Sequence, residues 1–458
     1  MAFAMESPKS HSLQDVSNAH AMDVRDTLQG PSYWWSTSGR DLANMLHEAN
    51  YPEEAQRSFL SFYQTVICPQ LGGQPDANST KSGVGRDGNP FEYSFELKGS
   101  TRSQAVRFVV DVSQLRPVGK ANPLSMKTTQ NVVDVLAKRT PGFDDTWYRA
   151  LSQWFVHSHL PASEQQALID EAGYQMPAIL GFDIHPRIST AGSLPVLAKV
   201  YFPPCFTAAA KKITRWEAVR LGVQQLPDIN SHPNILRSLG IIEDCLSTKS
   251  KEFEDGPRYL ATDFVAPGKA RLKIYMRYPG SAFEEIWDYY TLGGGIPGLD
   301  EDKEKFRDLV NLISGPGYEQ SQTDHPHYTK VRRKATALYF SLSTDNPCPA
   351  PKICFYPANF AANNKVIAKG LNRWLEKYRW FKGGKNMEER VKRVLYVAIF
   401  LLGFGFSLLI DDDSTHRQLT EKTGIFTFIG IGRKEDPKKK DLSIQVYVSP
   451  ELYKNPRL

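Results

Sequence analysis

Apolar and polar residues alternate in ten short stretches of the chain, which is the pattern of a β-strand with one buried face. The stretches come in five pairs, and the two members of each pair lie close in sequence, which predicts five β-hairpins. The predicted strands are 91–97 and 105–112, 179–184 and 195–202, 259–265 and 270–275, 335–343 and 351–356, and 424–433 and 442–448.

Stretches with the helical period separate the hairpins, which recur roughly every 70 to 90 residues. The first helix begins near Tyr33, where we expect Ser36 or Thr37 to act as the N-cap. Further helices are predicted at 52–66, 128–138, 145–157, 162–172, 216–225, 235–246, 283–291, 303–313, 360–377 and 387–400.

This repeat predicts an α+β fold in which ten antiparallel strands, in five hairpin repeats, close into a barrel enclosed by helices. Closure removes the exposed edges of the sheet, and a barrel of ten strands is wide enough to hold a ligand. An open sheet or two sandwiches are the alternatives. Residues 1–30 are polar and are predicted to form a disordered tail, and 31–458 a single domain.

The second strands of four hairpins carry a basic residue at equivalent places, and the fifth carries glutamine there; in several cases an aromatic residue follows two positions later. Residues two apart on a strand point to the same side, and the intervening residues here are apolar. If helices cover the apolar side, the cations must face the inside of the barrel. The alternative is an ordinary solvated face. The residues concerned are Arg107, Lys199 with Tyr201, Arg271 with Lys273 and Tyr275, Lys352 with Cys354, and Gln445 with Tyr447.

Several cations inside a closed lumen are costly unless an anion compensates them. A diphosphate meets this requirement because its oxygens accept several charge-assisted hydrogen bonds, and neighbouring tyrosine rings can cover a carbocation. The sequence contains no DDxxD-type carboxylate motif, no GxxxxGK[ST] phosphate loop and no GxGxxG turn between a strand and a helix. Gly293-Gly294-Gly295 follows a predicted helix and is interpreted as a turn. We therefore expect the protein's own cations to hold the anion, without an obligatory metal or other cofactor.

Glu92 is the other candidate for chemistry, because it shares one face of the first strand with Ser94 and Glu96. Inside a barrel, its carboxylate can accept a hydrogen bond from an aromatic N–H and raise the electron density of that ring. The alternative is a surface glutamate.

Composition narrows the choice of partners. The net charge is +6 over 458 residues, whereas a nucleic-acid-binding protein is expected to carry a concentrated basic face, so the charge does not indicate one. Five cysteines without a CxxC pair and no visible secretory signal predict free thiols in a reducing, cytoplasmic setting. Residues 394–410 are uncharged and are expected to be a buried element, a membrane span being the alternative. We expect small-molecule substrates, no nucleic acid and no membrane, and we leave a homodimer open.

The chain resembles the fungal dimethylallyltryptophan synthase family of aromatic prenyltransferases between about Tyr33 and Tyr453. Together the matching motifs are highly specific. They are Trp34-Trp35, HEANY at 47–51, PFEYS at 90–94, Lys199-Val200-Tyr201, RLKIY at 271–275 and WDYYTLGG at 287–294.

This resemblance implies the ABBA barrel fold and a reaction. Dimethylallyl diphosphate would lie in the barrel, bound by basic residues; tyrosines would help hold it and shield the allylic cation; and Glu92 would hydrogen-bond the indole N–H of the acceptor. The implied diphosphate-binding residues are Arg107, Lys199, Arg271 and Lys273, to which the repeated strand pattern adds Lys352, and the implied shield is Tyr201, Tyr275 and Tyr447.

Three positions depart from the family pattern. Cys354 stands where many members have tyrosine, and Phe428 replaces another tyrosine. Ile179 lies where the tryptophan-specific enzymes carry a lysine, which argues against free tryptophan as the acceptor and leaves the base unidentified. Residues 401–414 look like an insertion, either genuine or an error in the gene model.

Three hypotheses follow. The leading one is a prenyltransferase acting on an indole-containing secondary metabolite, either an indole alkaloid or an indole diterpenoid. The second keeps the donor and changes the acceptor to a phenol such as tyrosine, a xanthone or another polyketide. The third is a barrel that binds isoprenyl diphosphates without chemistry.

Overall fold

Ten antiparallel strands close into one barrel in the computed structural model, in the order β1-β10-β9-β8-β7-β6-β5-β4-β3-β2. The predicted fold class is therefore confirmed. The model describes residues 31–74, 81–85, 88–97, 105–112, 122–249, 251–278, 283–315, 336–359, 361–378, 424–433 and 442–449. The predictions for 1–30, 387–400, 394–410 and 401–414 concern residues outside these ranges. The strands are β1 Phe91–Leu97, β2 Ala105–Val110, β3 Ile179–Ile184, β4 Val196–Phe202, β5 Pro257–Asp263, β6 Leu272–Tyr278, β7 Thr336–Ser343, β8 Asn346–Phe355, β9 Phe426–Arg433 and β10 Leu442–Val448.

The alternation of apolar and polar residues places the main core outside the barrel. Val200, Ile274 and Ile353 on the outward face are fully buried beneath the surrounding helices. Their neighbours in sequence, including Lys199 and Lys273, face the lumen. Burying the apolar face against helices therefore forces the basic face inward, as the strand pattern predicts.

Helices surround the barrel between successive hairpins. They are α1 Pro31–Trp34, α2 Arg40–Glu48, α3 Glu53–Phe62, α4 Lys127–Arg139, α5 Thr146–Phe155, α6 Ala162–Ala172, α7 Cys205–Lys211, α8 Arg215–Gln224, α9 Pro233–Ser247, α10 Phe283–Tyr290, α11 Lys303–Ser314 and α12 Asn364–Lys377. A π-helical segment, Trp35–Gly39, joins α1 to α2, and a second, Tyr63–Ile67, follows α3.

One local prediction about the helices is wrong, and one helix was missed. Ser36 and Thr37 do not cap the first helix, because it begins at Pro31 and both hydroxyls donate to the carbonyl of Tyr33. Helix α7 was not predicted, because it directly follows β4 and two prolines, a pattern that reads as a turn. Neither error moves a strand.

Two of the family motifs have structural roles. The indole N–H of Trp34 donates to the carbonyl of Gly72, 3.0 Å away. The Tyr51 hydroxyl donates to the carbonyl of Ile184 at 2.7 Å and accepts from the backbone N–H of Val106 at 3.1 Å. Tyr51 thus links the helical layer to strands β2 and β3, because its hydroxyl forms one hydrogen bond with each strand.

Candidate active site

A cavity of about 350 Å³ occupies the lumen of the barrel. Its wall is formed mainly by inward-facing residues of the strands. The residues singled out from the sequence all lie in this wall: Glu92, Arg107, Lys199, Tyr201, Arg271, Lys273, Tyr275, Lys352 and Tyr447. The structure brings all nine together, and the roles given to them stay predictions.

Strand direction sorts these residues along the barrel axis. Neighbouring strands run in opposite directions, so the start of β1 meets the end of β2 and of β10. Glu92, near the start of β1, therefore lies toward one end, which we call the Glu92 end. Lys273, near the start of β6, lies toward the opposite end, which we call the cationic end. On β4 and β6 the tyrosine follows the lysine by two residues. Each tyrosine therefore also faces the lumen, but lies closer to the Glu92 end than the lysine does.

At the cationic end, Arg107 and Lys199 share the carboxylate of Asp183. Lys199 Nζ lies 2.5 Å from Asp183 Oδ2, and Arg107 Nε lies 3.1 Å from Asp183 Oδ1. Arg107 also lies 3.1 Å from Glu96 Oε2 and donates to Gln445 Oε1. Burial alone would raise the pKa of Asp183, but Lys199 and Arg107 hold it well below its usual range. The carboxylate is therefore ionised, and it fixes the position of both cations.

A second ion pair stands beside the first. Arg271 donates from Nε to Asp263 Oδ2 at 2.7 Å and from Nη2 to Oδ1 at 3.1 Å, a bidentate geometry. Asp263 is also the register partner of Lys199. Lys273 lies over the ring of Tyr339, with Nζ 5.2 Å from the ring centre. Four cations, from β2, from β4 and from the start of β6, thus face one lumen.

Lys352 approaches the same space from β8. Its ammonium donates to Gln445 Oε1 at 3.1 Å and to Ser443 Oγ at 3.3 Å. Gln445 in turn donates to Ser94 Oγ at 2.7 Å. Burial, together with the nearby charge of Arg107, lowers the pKa of Lys352 to about 8. Burial likewise lowers the pKa of Lys199 to about 8, although Asp183 opposes the shift.

The cationic end carries more positive than negative charge among the residues that the structure describes. Five cations, Arg107, Lys199, Arg271, Lys273 and Lys352, face three carboxylates, Glu96, Asp183 and Asp263. Partly compensated charges in a low-dielectric space bind a further anion strongly. An anion with several oxygens suits this end of the cavity.

A layer of aromatic rings lies beside the cations. Tyr201 and Tyr275 have ring centres 5.4 Å apart, and Tyr275 and Tyr339 have ring centres 5.0 Å apart. Phe428 lies edge-on to Tyr447 at 6.0 Å. These faces are rich in π-electron density and stabilise a positive charge placed against them. Gly181 permits this arrangement, because a side chain there would lie 2.8 Å from the Tyr201 ring.

At the Glu92 end, the Glu92 carboxylate lies beside several apolar residues. Glu92 Oε1 accepts a hydrogen bond from Thr427 Oγ1 at 2.6 Å. Val109, Ile179 and Phe428 line the wall around it. A carboxylate in this position can accept an N–H or O–H from a flat ring.

Two arginines also reach the Glu92 end, Arg258 from β5 and Arg277 from β6. The Arg258 Nε atom is buried and has no hydrogen-bond partner among the described residues. Burial, with Arg215 and Arg277 nearby, lowers the pKa of Arg258 to about 10. An anionic group beside Arg258 would relieve this unfavourable environment.

Sequence reasoning missed several residues of the site. Asp183 and Asp263 lie at the alternate positions of their strands that face the lumen, so the alternation of residues along each strand could have identified both. Tyr339 likewise lies at a lumen-facing position of β7, opposite Tyr275 on β6. Arg258 and Thr427 had no such signal, because each lies at a register shift that breaks the alternation.

The barrel, its cationic lumen and its tyrosine layer define an aromatic prenyltransferase-like site, and comparison with known proteins agrees. Residues 31–390 match the family model described as tryptophan dimethylallyltransferase. The chain is 55% identical over 454 residues to prenyltransferase phnF of Penicillium herquei, covering 98% of each chain. It is 54% identical over 464 residues to the DMATS-type prenyltransferase mfmD of Annulohypoxylon moriforme, covering 100% of each. The chain therefore belongs to the tryptophan dimethylallyltransferase family and is a DMATS-type aromatic prenyltransferase, so the resemblance seen in the sequence is confirmed.

A solved structure supports the fold independently. NotF in complex with brevianamide F and DMSPP superposes with a TM-score of 0.71 at 18% identity, covering 95% of this chain and 98% of that chain. The hypothesis of a barrel without chemistry loses its support, because the family consists of prenyltransferases.

More distant relatives carry names that specify different acceptors. Xanthone prenyltransferase B of Emericella nidulans is 25% identical and covers 93% of this chain and 89% of its own. The 4-O-dimethylallyl-L-tyrosine synthase of Claviceps purpurea is 24% identical, covering 91% and 87%. The indole diterpene prenyltransferase atmD of Aspergillus flavus is 25% identical, covering 80% and 82%.

Enzymes of this family are metal-independent. Within the described ranges, no three His, Cys, Asp or Glu side chains are grouped as a metal site requires. Of the helices that the structure describes, none has the length and apolar character needed to cross a membrane.

Proposed function

We propose that this enzyme transfers the dimethylallyl group of dimethylallyl diphosphate to a hydroxylated, acidic aromatic acceptor. The observation that carries the proposal is the division of one lumen into a cationic end and an end where Glu92 is accompanied by Arg258 and Arg277. The first end suits a diphosphate, and the second suits a phenolic acceptor with a further acidic oxygen.

The donor's diphosphate binds at the cationic end. Lys199, Arg271 and Lys273 contribute charge-assisted hydrogen bonds to its oxygens, with Arg107 and Lys352 completing the cradle. The internal carboxylates, such as Asp183, hold the cations in place before the donor arrives. This preorganisation means that little reorganisation is needed as charge develops on the leaving group.

Ionisation breaks the bond between the allylic carbon and the diphosphate oxygen, and the electron pair leaves with pyrophosphate. The dimethylallyl cation then lies against the rings of Tyr201, Tyr275 and Tyr447. Their faces stabilise the positive charge and exclude water, which would otherwise convert the cation to an alcohol. Cys354 and Phe428 keep this wall largely apolar, although neither is a phenol.

The acceptor lies at the Glu92 end. Glu92 accepts the phenolic O–H, which raises the electron density of the oxygen and the ring. An electron pair of the acceptor forms the new bond to the allylic carbon, and the acceptor loses one proton, so its net charge is the same before and after the transfer. With a phenol, Glu92 can take the O–H proton, so a lysine at the position of Ile179 is not needed for that transfer.

Arg258 and Arg277 favour an acidic acceptor over a neutral one. A carboxylate or an ionised second hydroxyl would compensate the charge of Arg258, whose Nε is buried without a hydrogen-bond partner among the described residues, whereas a neutral indole terpenoid would leave that charge uncompensated. Arg277 is exposed and would add long-range attraction for an anion. The named functions of the xanthone and tyrosine relatives agree with this choice, and those proteins cover more of this chain than the indole diterpene enzyme does.

An indole-containing acceptor is the second candidate, and Glu92 supports it. A carboxylate accepts an indole N–H as readily as a phenolic O–H. Under this alternative the base that takes the ring proton is still to be identified, because Ile179 has no acidic or basic group.

A competition assay separates the two acceptors. Purified enzyme receives dimethylallyl diphosphate in EDTA with equal concentrations of hydroxyxanthones, tyrosine and other phenols, and of tryptophan and larger indoles. We expect mass spectrometry to find the prenylated product mainly among the phenols, and Arg258→Met to reduce that product selectively. Prenylation confined to the indoles, with Arg258→Met unchanged, would favour the second candidate.

Donor affinity should depend on pH. Lys199 and Lys352 each have a pKa of about 8 in the donor-free protein. A bound diphosphate favours their protonated forms, so above this pH each must take up a proton on binding. We expect the affinity for dimethylallyl thiolodiphosphate to fall as pH rises from about 7 to about 9, by up to about tenfold per unit for each lysine.

Isothermal titration calorimetry across this range measures the effect, and the Lys199→Met/Lys352→Met double variant is the control. That variant should bind more weakly but with a flatter pH dependence. Constant affinity over the same range in the wild-type enzyme would show that these lysines do not contact the diphosphate.

A further inference from the structure

The pairing of β9 with β10 is interrupted next to the Glu92 end. Tyr447 pairs with Phe428, but the next residue, Val448, pairs with Phe426, so Thr427 is an extra residue without a register partner on β10. Bulges of this kind occur near active sites, where they redirect a side chain. Strict alternation would place Thr427 opposite in direction to Phe428, yet both line the cavity.

The redirected hydroxyl reaches a residue two strands away. Strand β10 lies between β9 and β1, and Thr427 Oγ1 nevertheless lies 2.6 Å from Oε1 of Glu92 on β1. Thr427 is 2% exposed, so little water competes for this bond. A short hydrogen bond from a buried hydroxyl to a carboxylate is among the stronger kinds.

We propose that Thr427 is a positioning residue for the acceptor, acting through Glu92. The bond fixes one carboxylate oxygen and thereby the plane of the carboxylate. That plane sets the direction from which Glu92 accepts the acceptor's O–H or N–H, and hence which acceptor atom faces the allylic cation. The proposal rests on the role given to Glu92 under the proposed function.

The bulge also links acceptor positioning to the cation shield. Phe428 follows Thr427 directly and lies against Tyr447 in the aromatic layer. The same backbone irregularity thus orients the group that holds the acceptor and a ring beside the cation. Cations such as Lys199 and Arg271 are at the other end of the lumen, so Thr427 should not influence donor binding.

Thr427→Val tests the proposal, because valine keeps the shape of threonine and removes the hydroxyl. We expect the acceptor KM to rise about tenfold, which is the effect of losing one charge-assisted hydrogen bond. A larger share of donor should be hydrolysed, and a second prenylated isomer should increase. The donor KM should stay within about twofold. Thr427→Ser, which keeps the hydroxyl, should restore the acceptor KM and the product ratio.

Thr262→Val is the matched control. Thr262 is a buried threonine on β5 whose hydroxyl has no hydrogen-bond partner among the described residues, and its register partners are Val200 and Leu272 on the outward face. This variant should keep wild-type acceptor kinetics. If Thr427→Val does not fold, Thr427→Ala with the same readouts replaces it.

Glu92→Gln separates failure of this proposal from failure of the proposed function. We expect Thr427→Val to add little in the Glu92→Gln background, because both changes disturb one bond. If Glu92→Gln impairs the acceptor step while Thr427→Val behaves like Thr262→Val, the positioning role is wrong and the role of Glu92 stands. If Glu92→Gln leaves the acceptor step unchanged, both are wrong.

Discussion

Replacing Lys199 by Met is expected to lower kcat/KM for dimethylallyl diphosphate by about a hundredfold to a thousandfold. Lys199 is buried, pairs with Asp183 at 2.5 Å and faces the cationic end of the lumen. Loss of one member of a buried charge pair costs about 2 to 5 kcal/mol, and each 1.4 kcal/mol is about a factor of ten. The variant loses a contact to the leaving group and leaves Asp183 to repel it.

Steady-state kinetics with varied donor measure this effect, and inhibition by inorganic pyrophosphate should weaken in parallel. Lys212→Met is the matched control, because Lys212 forms a pair with Glu171 at 2.7 Å on the surface. Exposed pairs contribute little, so this control should behave as wild type. Equal kinetics for the two variants would place the diphosphate away from Lys199.

The second large effect is expected from Glu92→Gln. Glutamine keeps the size of the side chain but is a weaker acceptor and cannot take a proton. We expect kcat/KM for the acceptor to fall about a hundredfold or more, the lower range for loss of a general base. Binding of dimethylallyl thiolodiphosphate should not change, because Glu92 lies at the opposite end of the lumen from the cationic end, where the diphosphate is expected to bind.

Glu96→Gln is the informative comparison for this variant. Glu96 lies on the same strand and face but contacts Arg107 at the cationic end. We expect Glu96→Gln to change donor affinity and to leave the acceptor KM within about twofold. A fall in donor affinity for Glu92→Gln, with unchanged acceptor kinetics, would refute the assignment of the two ends.

The strands could be predicted from the sequence because apolar and polar residues alternate regularly along them. The predicted limits of 91–97, 179–184 and 442–448 coincide with β1, β3 and β10. Apolar residues such as Val200 and Ile274 require cover, and only an outer layer of helices supplies it. Because Val200 and Ile274 face the helices, the adjacent Lys199 and Lys273 must face the lumen. The cationic lumen could therefore be predicted from the alternation of residues.

Other parts of the site depend on contacts between distant strands. Asp183 had the right parity, but its partners Lys199 and Arg107 become apparent only when β2, β3 and β4 are in register. Thr427 and Arg258 lie at register shifts, where alternation gives the wrong direction or none. The alternation of residues can therefore identify the lumen-facing residues of regular strands. The residues at register shifts, which shape the Glu92 end, can be identified only from the structure.

The most direct test of the account is a crystal structure of the enzyme with dimethylallyl thiolodiphosphate, grown in EDTA. We predict that the diphosphate oxygens contact Lys199, Arg271 and Lys273 inside the barrel, with the dimethylallyl group against Tyr201 and Tyr275 and pointing toward Glu92. A diphosphate bound outside the lumen, or a dimethylallyl group directed away from Glu92, would contradict the account.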